Sequence, residues 1–432
     1  MTIKKQITTL IILVLLSNVK AQQVFPNLDS LLQYATKKSI AIQTNDIKIC
    51  QAKKAKLAAI LTIPDPTGGM NLTYTDNTTL PVNLFPDVNN PGKFNEVQIG
   101  QKYSTLFNQS LDIKLINLAG WENLKLSKIN IDLSNSSQQL AIKSLQENIA
   151  INYYNILNLQ QQINNSKQNL LIADTLFNIA EAKYSKGLVK QQDVNDSKVN
   201  VLNAKESIEQ LAYLLKQYYL SLKVLCDIPE NENISIQQSP QQNNNQLAAP
   251  TLNTLGINNS LLKEKYALTN YRQVFKSTLP TFSFTTNNSY TLYNQEFKLF
   301  DGKWFKGSSI GFKLSMPLPS ASSISNKSKA KFDYEIAKKT TEQETIKANL
   351  TKEQLNVDYY KALSKEKNNK QVLELRKDSY NKNRILYEQG LLSLDQTLNS
   401  YTAMVNAEYS LTTSTINVQL AQAKININNT IK

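Results

Sequence analysis

Proline placement constrains this chain more than any other feature. All twelve prolines fall at position 26, within 64–91, within 229–250 and within 280–319. None lies between Pro91 and Pro229, and none follows Pro319. Glycine is as sparse there: Gly187 alone follows Gly120 in the first long segment, and Gly390 alone follows Gly311 in the second. Segments of this length with almost no helix breakers predict very long helices.

The apolar spacing agrees. Leu145, Ile149, Asn152, Ile156, Leu159 and Ile163 begin a seam whose steps alternate four and three. It continues through Ser166, Leu170, Ala173, Phe177 and Ala180 to Tyr184. A second seam runs through Val201, Ala204, Ile208, Leu211, Leu215, Tyr218, Leu222 and Leu225. Both repeat every 3.5 residues, the period of left-handed coiled coils. A helix from about Leu118 to Tyr184 is roughly 100 Å long at 1.5 Å per residue, which suits a coiled-coil tube or rod.

The proline-containing stretches alternate with period two instead. Examples are Met70–Tyr74, Leu111–Leu115, Thr281–Thr285 and Ile310–Leu314. These predict strands with one apolar and one polar face, near 67–76, 108–116, 281–290 and 308–316. The Pro/Asn-rich stretch around Leu80–Phe94 reads as a surface loop. The fold class is therefore mainly α with a small β part.

The chain states its plan twice. Tyr184-x-x-Gly187-Leu188 aligns with Tyr387-x-x-Gly390-Leu391, and Asn203-Ala204 aligns with Asn406-Ala407. This predicts an internal duplication: a first repeat over 22–250 and a second over 251–432. Each reads helix, strand, strand, long helix, glycine break, helix. Gly187 and Gly390 are the natural apices of helical hairpins, because glycine enters a left-handed turn at little cost. Four strands cannot close a barrel alone, but several chains together can, which removes every edge.

Lys4, Lys5, the apolar run Ile7–Leu16 and Val19-Lys20-Ala21 read as a secretory signal over 1–21. Its removal takes the formal charge from +14 to about +11. The basic residues are spread along helical faces, which argues against nucleic acid as a partner. Beyond the signal no apolar run is long enough for a membrane helix, so a membrane span would require a β-barrel. There is no His, and no nucleophile motif, P-loop or metal-spaced carboxylate cluster occurs. The expectation is no enzyme, no cofactor and no metal.

The signal peptide, the duplicated plan, the paired apex motifs and the stretch Leu314–Lys331 ("LSMPLPSASSISNKSKAK") together resemble the TolC-like outer-membrane efflux proteins. The resemblance implies duplicated helix–strand–strand–helix–helix units in a homotrimer, with four strands per protomer in a shared outer-membrane β-barrel. A long periplasmic coiled-coil tunnel would continue it. The implied function is a passive exit duct of a tripartite efflux or type I secretion system, gated at its periplasmic helical end. The implied partners are outer-membrane lipid, a periplasmic adaptor at Gly187, Leu188, Gly390 and Leu391, and an inner-membrane transporter.

Family members often carry D-x-x-D after the second apex. Here Asp193 and Asp196 form that pattern in repeat one, while repeat two aligns Gln396 and Asn399, with Asp395 one residue earlier. These five are the constriction candidates. The same layout places Cys50 and Cys226 roughly 20 Å apart in height, too far for a disulfide, and predicts two free, buried thiols. Two other readings stand beside the duct. A coiled-coil structural or adhesive surface protein explains the heptads but not the strand pairs. A periplasmic adaptor would have one hairpin flanked by small β-domains.

Overall fold

The computed structural model describes residues 23–237 and 249–431, so the expected signal over 1–21 lies outside the described residues. Seven helices occur among them: α1 (Leu28–Lys38), α2 (Ile40–Leu61), α3 (Leu118–Ser185), α4 (Gln191–Cys226), α5 (Leu255–Lys276), α6 (Ala321–Glu388) and α7 (Leu394–Thr430). The strands are β1 (Gln23–Phe25), β2 (Thr67–Asp76), β3 (Val82–Pro86), β4 (Phe94–Gln98), β5 (Tyr103–Ile116), β6 (Ile234–Ile236), β7 (Thr281–Asn294) and β8 (Trp304–Ser315). The chain forms two compact units, each drawing on both halves of the sequence.

One unit comprises the described residues within 1–47, 135–259 and 342–432. It is helical except for the parallel pair β1–β6. The first seam on α3 is buried at Ile149, Ile156, Leu159, Ser166, Ala173 and Ala180. A second stripe beside it, including Ala150, Tyr153, Leu157 and Leu176, is buried as well, so α3 packs against neighbours on two sides. On α4 the seam is half-buried or buried throughout, with Val201 and Leu222 fully enclosed. One apolar cluster gathers α1, α3, α4 and α7 around Leu31, Ile149, Ile156, Leu222 and Ile427. Asn27 caps α1 by accepting from the Ser30 amide at 2.8 Å, as a helix N-terminus requires.

The other unit comprises residues 48–134 and 260–341. Its centre is an antiparallel sheet in the order β2-β5-β7-β8. Helices α2, α3, α5 and α6 join the strands at one end of this sheet. The β2–β5 and β7–β8 connections lie at the other. The stretch expected as a plain loop around Leu80–Phe94 instead carries the hairpin β3–β4.

The junction from β5 into α3 has a specific cause. Asn117 caps α3 by accepting from the Gly120 amide at 3.1 Å, and its own amide donates to the Thr62 carbonyl at 2.8 Å. A Cβ on Gly120 would lie 2.3 Å from that carbonyl oxygen, so only glycine fits. Glu122, one turn on, is buried and receives hydrogen bonds from Lys125 at 2.9 Å and Lys276 at 2.6 Å. Burial opposes its charge, but these two lysines outweigh burial and hold the carboxyl below its usual range.

Both cysteines are free. Cys226 is buried, but Cys50, expected to be buried, is exposed. The reason is register: the buried positions of α2 are Ile42, Ile49, Ala52 and Ala59, and Cys50 stands one residue, about 100° of helix rotation, past Ile49.

Candidate functional site

Two regions carry features that packing alone does not explain: the ends of the helical hairpins and the faces of the four-stranded sheet. At both hairpin ends the chain turns by the same device. Gly187 has φ 71° and Gly390 has φ 78°. The Leu188 amide donates to the Lys183 carbonyl at 2.9 Å, and the Leu391 amide to the Leu386 carbonyl at 2.8 Å. The Gly187 and Gly390 amides donate to Tyr184 and Tyr387 at 2.8 and 3.0 Å. This is a helix stop that satisfies otherwise orphaned carbonyls with a glycine in the left-handed region. Leu188 and Leu391 are then left 68% and 72% exposed, apolar side chains held in solvent at both turns.

The helices leaving the turns are each capped by a local side-chain hydrogen bond. At α4 the Lys190 amide donates to Asp193 Oδ2 at 2.9 Å. At α7 the Gln396 amide donates to Ser393 Oγ at 3.4 Å, and the Ser393 hydroxyl donates to Gln396 Oε1 at 3.2 Å. Asp193 and Gln396 hold the same position in the two helices and fold back on their own turns, but Asp193 satisfies a backbone amide whereas the Gln396 side chain meets only the Ser393 hydroxyl. Asp196 accepts from Gln192 Nε2 at 3.0 Å. Asp395, Gln396 and Asn399 share the exposed face of α7, opposite the buried Leu394, Thr397, Leu398 and Tyr401.

Between α3 and α7 the contact is unusually polar for a coiled-coil seam. Gln162 donates to Thr413 Oγ1 at 3.2 Å, and Asn165 to Thr412 Oγ1 at 3.0 Å. Ser166 and Tyr409 share a 2.7 Å hydrogen bond. Asn169 donates to Glu408 at 3.1 Å, and Tyr401 donates to the Asn169 carbonyl at 2.7 Å. Nearer the turns an apolar cluster takes over, with Leu176, Val201, Tyr387, Leu394 and Met404. There Lys183 places its ammonium 4.1 Å from the centroid of the Tyr387 ring and donates to the Tyr387 carbonyl. Sequence reasoning missed this pair. Its one trace is an asymmetry: Lys183-Tyr184 stands where the second copy has Leu386-Tyr387.

The sheet has two chemically opposite faces. On β7 one face carries Phe282, Phe284, Tyr290 and Leu292, with Thr286 and Asn288 between the two pairs, and the other carries Ser283, Thr285, Asn287, Ser289, Thr291 and, near the loop end, Tyr293. Register extends the apolar face to Ile113 and Phe107 on β5 and to Phe312 and Trp304 on β8. The opposite face of β2 is Thr67, Gly69, Asn71, Thr73 and Thr75. Lys313 and Asp112, which belong to the polar face, pair at 3.6 Å. On the apolar face Ile310, Phe312 and Leu314 are 76%, 70% and 74% exposed. The polar row Gln109, Asn288 and Ser308 divides this face into two apolar patches, and water does not favour exposed apolar patches of this kind.

Aromatic clusters bound this face at both ends. Phe312 lies 5.5 Å from Phe282 and 5.9 Å from Phe284, centroid to centroid. Tyr74, Tyr103 and Phe297 form the other cluster at 5.3–6.2 Å. Phe284 and the β7 residue opposite Tyr103, Asn294, are ten residues apart. That is about 33 Å along a strand, or about 25 Å of height at a 40° tilt. Strands β2 and β8 are the edges of this sheet, and neither has a partner on its outer side among the described residues.

No helix among the described residues is long and apolar enough to cross a membrane. Among them no group of three metal-ligating side chains comes together.

Comparison with known proteins bears on the same features. The outer membrane efflux protein family model matches residues 83–226. No curated protein matches the chain. The fold resembles that of the outer membrane protein VceC from Vibrio cholerae, with a TM-score of 0.73 and 12% identity over 93% of this chain and 95% of that one. It also resembles the CmeC outer membrane channel of Campylobacter jejuni, with a TM-score of 0.70 and 18% identity over 93% and 85%. The open-state MtrE outer membrane channel of Neisseria gonorrhoeae gives 0.64 and 14% over 93% and 88%.

Proposed function

We propose that this chain, which has the fold of outer-membrane channels and matches the outer membrane efflux protein model across residues 83–226, is the outer-membrane exit duct of an efflux or type I secretion system. The observation that carries the reading is the two-faced sheet with open edges at β2 and β8. A sheet that is apolar on one side and polar on the other suits lipid outside and water inside. Its edges must pair, because hydrocarbon offers no partner for a bare backbone amide. Three copies, each giving four strands, close twelve strands into one barrel.

In this reading the protein does no chemistry on its cargo. The sheet lies in the outer membrane and the helical hairpins reach into the periplasm. The exposed Leu188 and Leu391, set by Gly187 and Gly390, dock a periplasmic adaptor, which links the duct to an inner-membrane transporter. The hairpin of α6 and α7 moves against α3 to open the periplasmic end. The hydrogen-bonded α3–α7 contact favours such movement, since each amide–hydroxyl bond can be exchanged for a bond to water at about 1 kcal/mol. Asp395, Gln396 and Asn399, on the exposed face of α7, are the candidates for the constriction.

The test is conductance of protein purified from the outer-membrane fraction and inserted into planar bilayers. One shared pore per trimer, opening in single steps, is expected. Absence of any conductance from correctly folded protein overturns the proposal.

A further inference from the structure

The apolar face of the sheet is not flat near its loop end. It holds a cleft of about 560 Å³ lined by Leu72, Phe107, Gln109, Tyr290, Phe300 and Trp304. Leu72, Phe107, Tyr290 and Lys306 stand in one lateral row, as the strand register requires. Leu72, Phe107 and Tyr290 form the floor, and Lys306 stands next to it at the end of the row. Phe300 comes from the β7–β8 loop and completes the wall.

That loop is held in place by specific contacts. Asn294 Nδ2 donates to the Lys298 carbonyl at 3.2 Å and to the Asp301 carbonyl at 3.1 Å. The Trp304 indole N–H donates to the Phe300 carbonyl at 3.4 Å. Gly302 has φ 137°, and a Cβ there would lie 2.8 Å from Leu292 Cδ1. The loop therefore keeps Phe300 beside the cleft.

One cation borders it. The Lys306 ammonium sits 6.0 Å from the Tyr290 ring centroid and makes no ion pair with a carboxylate among the described residues. An apolar slot beside an unneutralised ammonium is complementary to an amphiphile with an acyl chain and an anionic head.

We infer that this cleft holds one acyl chain of an outer-leaflet phosphorylated glycolipid of the lipid A class, with Lys306 meeting its phosphate. The inference rests on the barrel reading. The cleft belongs to the sheet end carrying the β2–β5 and β7–β8 connections, opposite the end where the helices join, and in that reading this end faces the cell exterior. A glycerophospholipid of the inner leaflet would meet the other end.

The experiment uses trimers purified in mild detergent, stripped of lipid, and incubated with purified lipid A or with phosphatidylglycerol. Native mass spectrometry then counts bound lipid. The expected result is up to one lipid A per protomer, retained in preference to phosphatidylglycerol. Lys306→Gln should lower that retention at least threefold, and Phe300→Ala should do the same with the charge intact. Both variants should remain trimeric. Trimers that retain no lipid A, that hold it equally in both variants, or that prefer phosphatidylglycerol overturn the inference while leaving the duct reading standing. A protein that forms no trimer in detergent contradicts the duct reading itself.

Discussion

The Lys183 ammonium lies over the face of the Tyr387 ring, 4.1 Å from its centroid, and also donates to the Tyr387 carbonyl. Each residue sits within one turn of a hairpin apex, Gly187 for one and Gly390 for the other. Tyr387 is buried, so the contact is shielded from water. A desolvated cation–π contact is worth about 2 kcal/mol. The pair ties the end of α3 to the end of α6, where an opening movement would have to begin.

Replacing Lys183 with Met keeps the aliphatic stem and removes the charge. The expected outcome is a higher resting conductance in planar bilayers with the trimer intact. A conductance equal to wild type would show that the pair is packing only.

The two kinds of glycine predict opposite outcomes. A Cβ on Gly187 or Gly390 meets nothing within 4 Å, so alanine there carries only the cost of a left-handed backbone, about 1–2 kcal/mol. Gly120→Ala drives a methyl into the Thr62 carbonyl and should cost about 3 kcal/mol or more. Thermal unfolding of the three variants tests the ranking. Gly120→Ala unfolding no earlier than the apex variants would contradict it.

Leu188→Asp and Leu391→Asp should leave assembly and stability unchanged, since both side chains are exposed. They should abolish export in cells, with pull-down of the adaptor lost in parallel. Full export by the double variant would remove the apices from the docking surface. Asp395→Asn tests the constriction separately: unchanged conductance and unchanged block by multivalent cations would exclude that carboxylate from the gate.

Acid should weaken the junction at Glu122. Its carboxyl titrates below the usual range when folded. The stabilisation is therefore complete above the unfolded pKa, about 4.3, and is lost as pH falls through the folded value. Glu122→Gln should be less stable than wild type by about 1–3 kcal/mol at pH 7, and the gap should close towards pH 3. A gap independent of pH would show that the ion pairs contribute nothing.

Cys226 is buried, and burial first, then the neighbouring Asp227 carboxylate, pushes its thiol up to about 12. It should resist alkylation at pH 8 until the protein unfolds. Electrophoretic mobility should be the same with and without reductant.

Much of this architecture was legible because it repeats. The glycines at 187 and 390 stand alone in long helix-forming runs, so their turns announce themselves. The two faces of β7 follow from the alternation at its two ends, Phe282-Ser283-Phe284 and Tyr290-Thr291-Leu292, while Thr285–Ser289 between them is polar on both faces. Other features left no periodic signal. Strands β1 and β6 are three residues each, too short for alternation to register. The β3–β4 hairpin is flanked and interrupted by Pro81, Pro86 and Pro91, which reads as loop although edge strands tolerate proline. Asp193 reads as a pore carboxylate from its motif, yet its side chain accepts from the Lys190 amide. Ser166 looks like a defect in its seam, and Asn169 beside the seam gives no signal, until Tyr409 and Glu408, some 240 residues away in sequence, are seen to meet them.

The central claim is that β2 and β8 find their missing partners in other copies of the chain. The direct measurement is the detergent-corrected mass of the protein extracted from outer membranes, by analytical ultracentrifugation. The account predicts a trimer carrying a belt of bound detergent. A monomer, or a species of any size that binds no detergent, would contradict it.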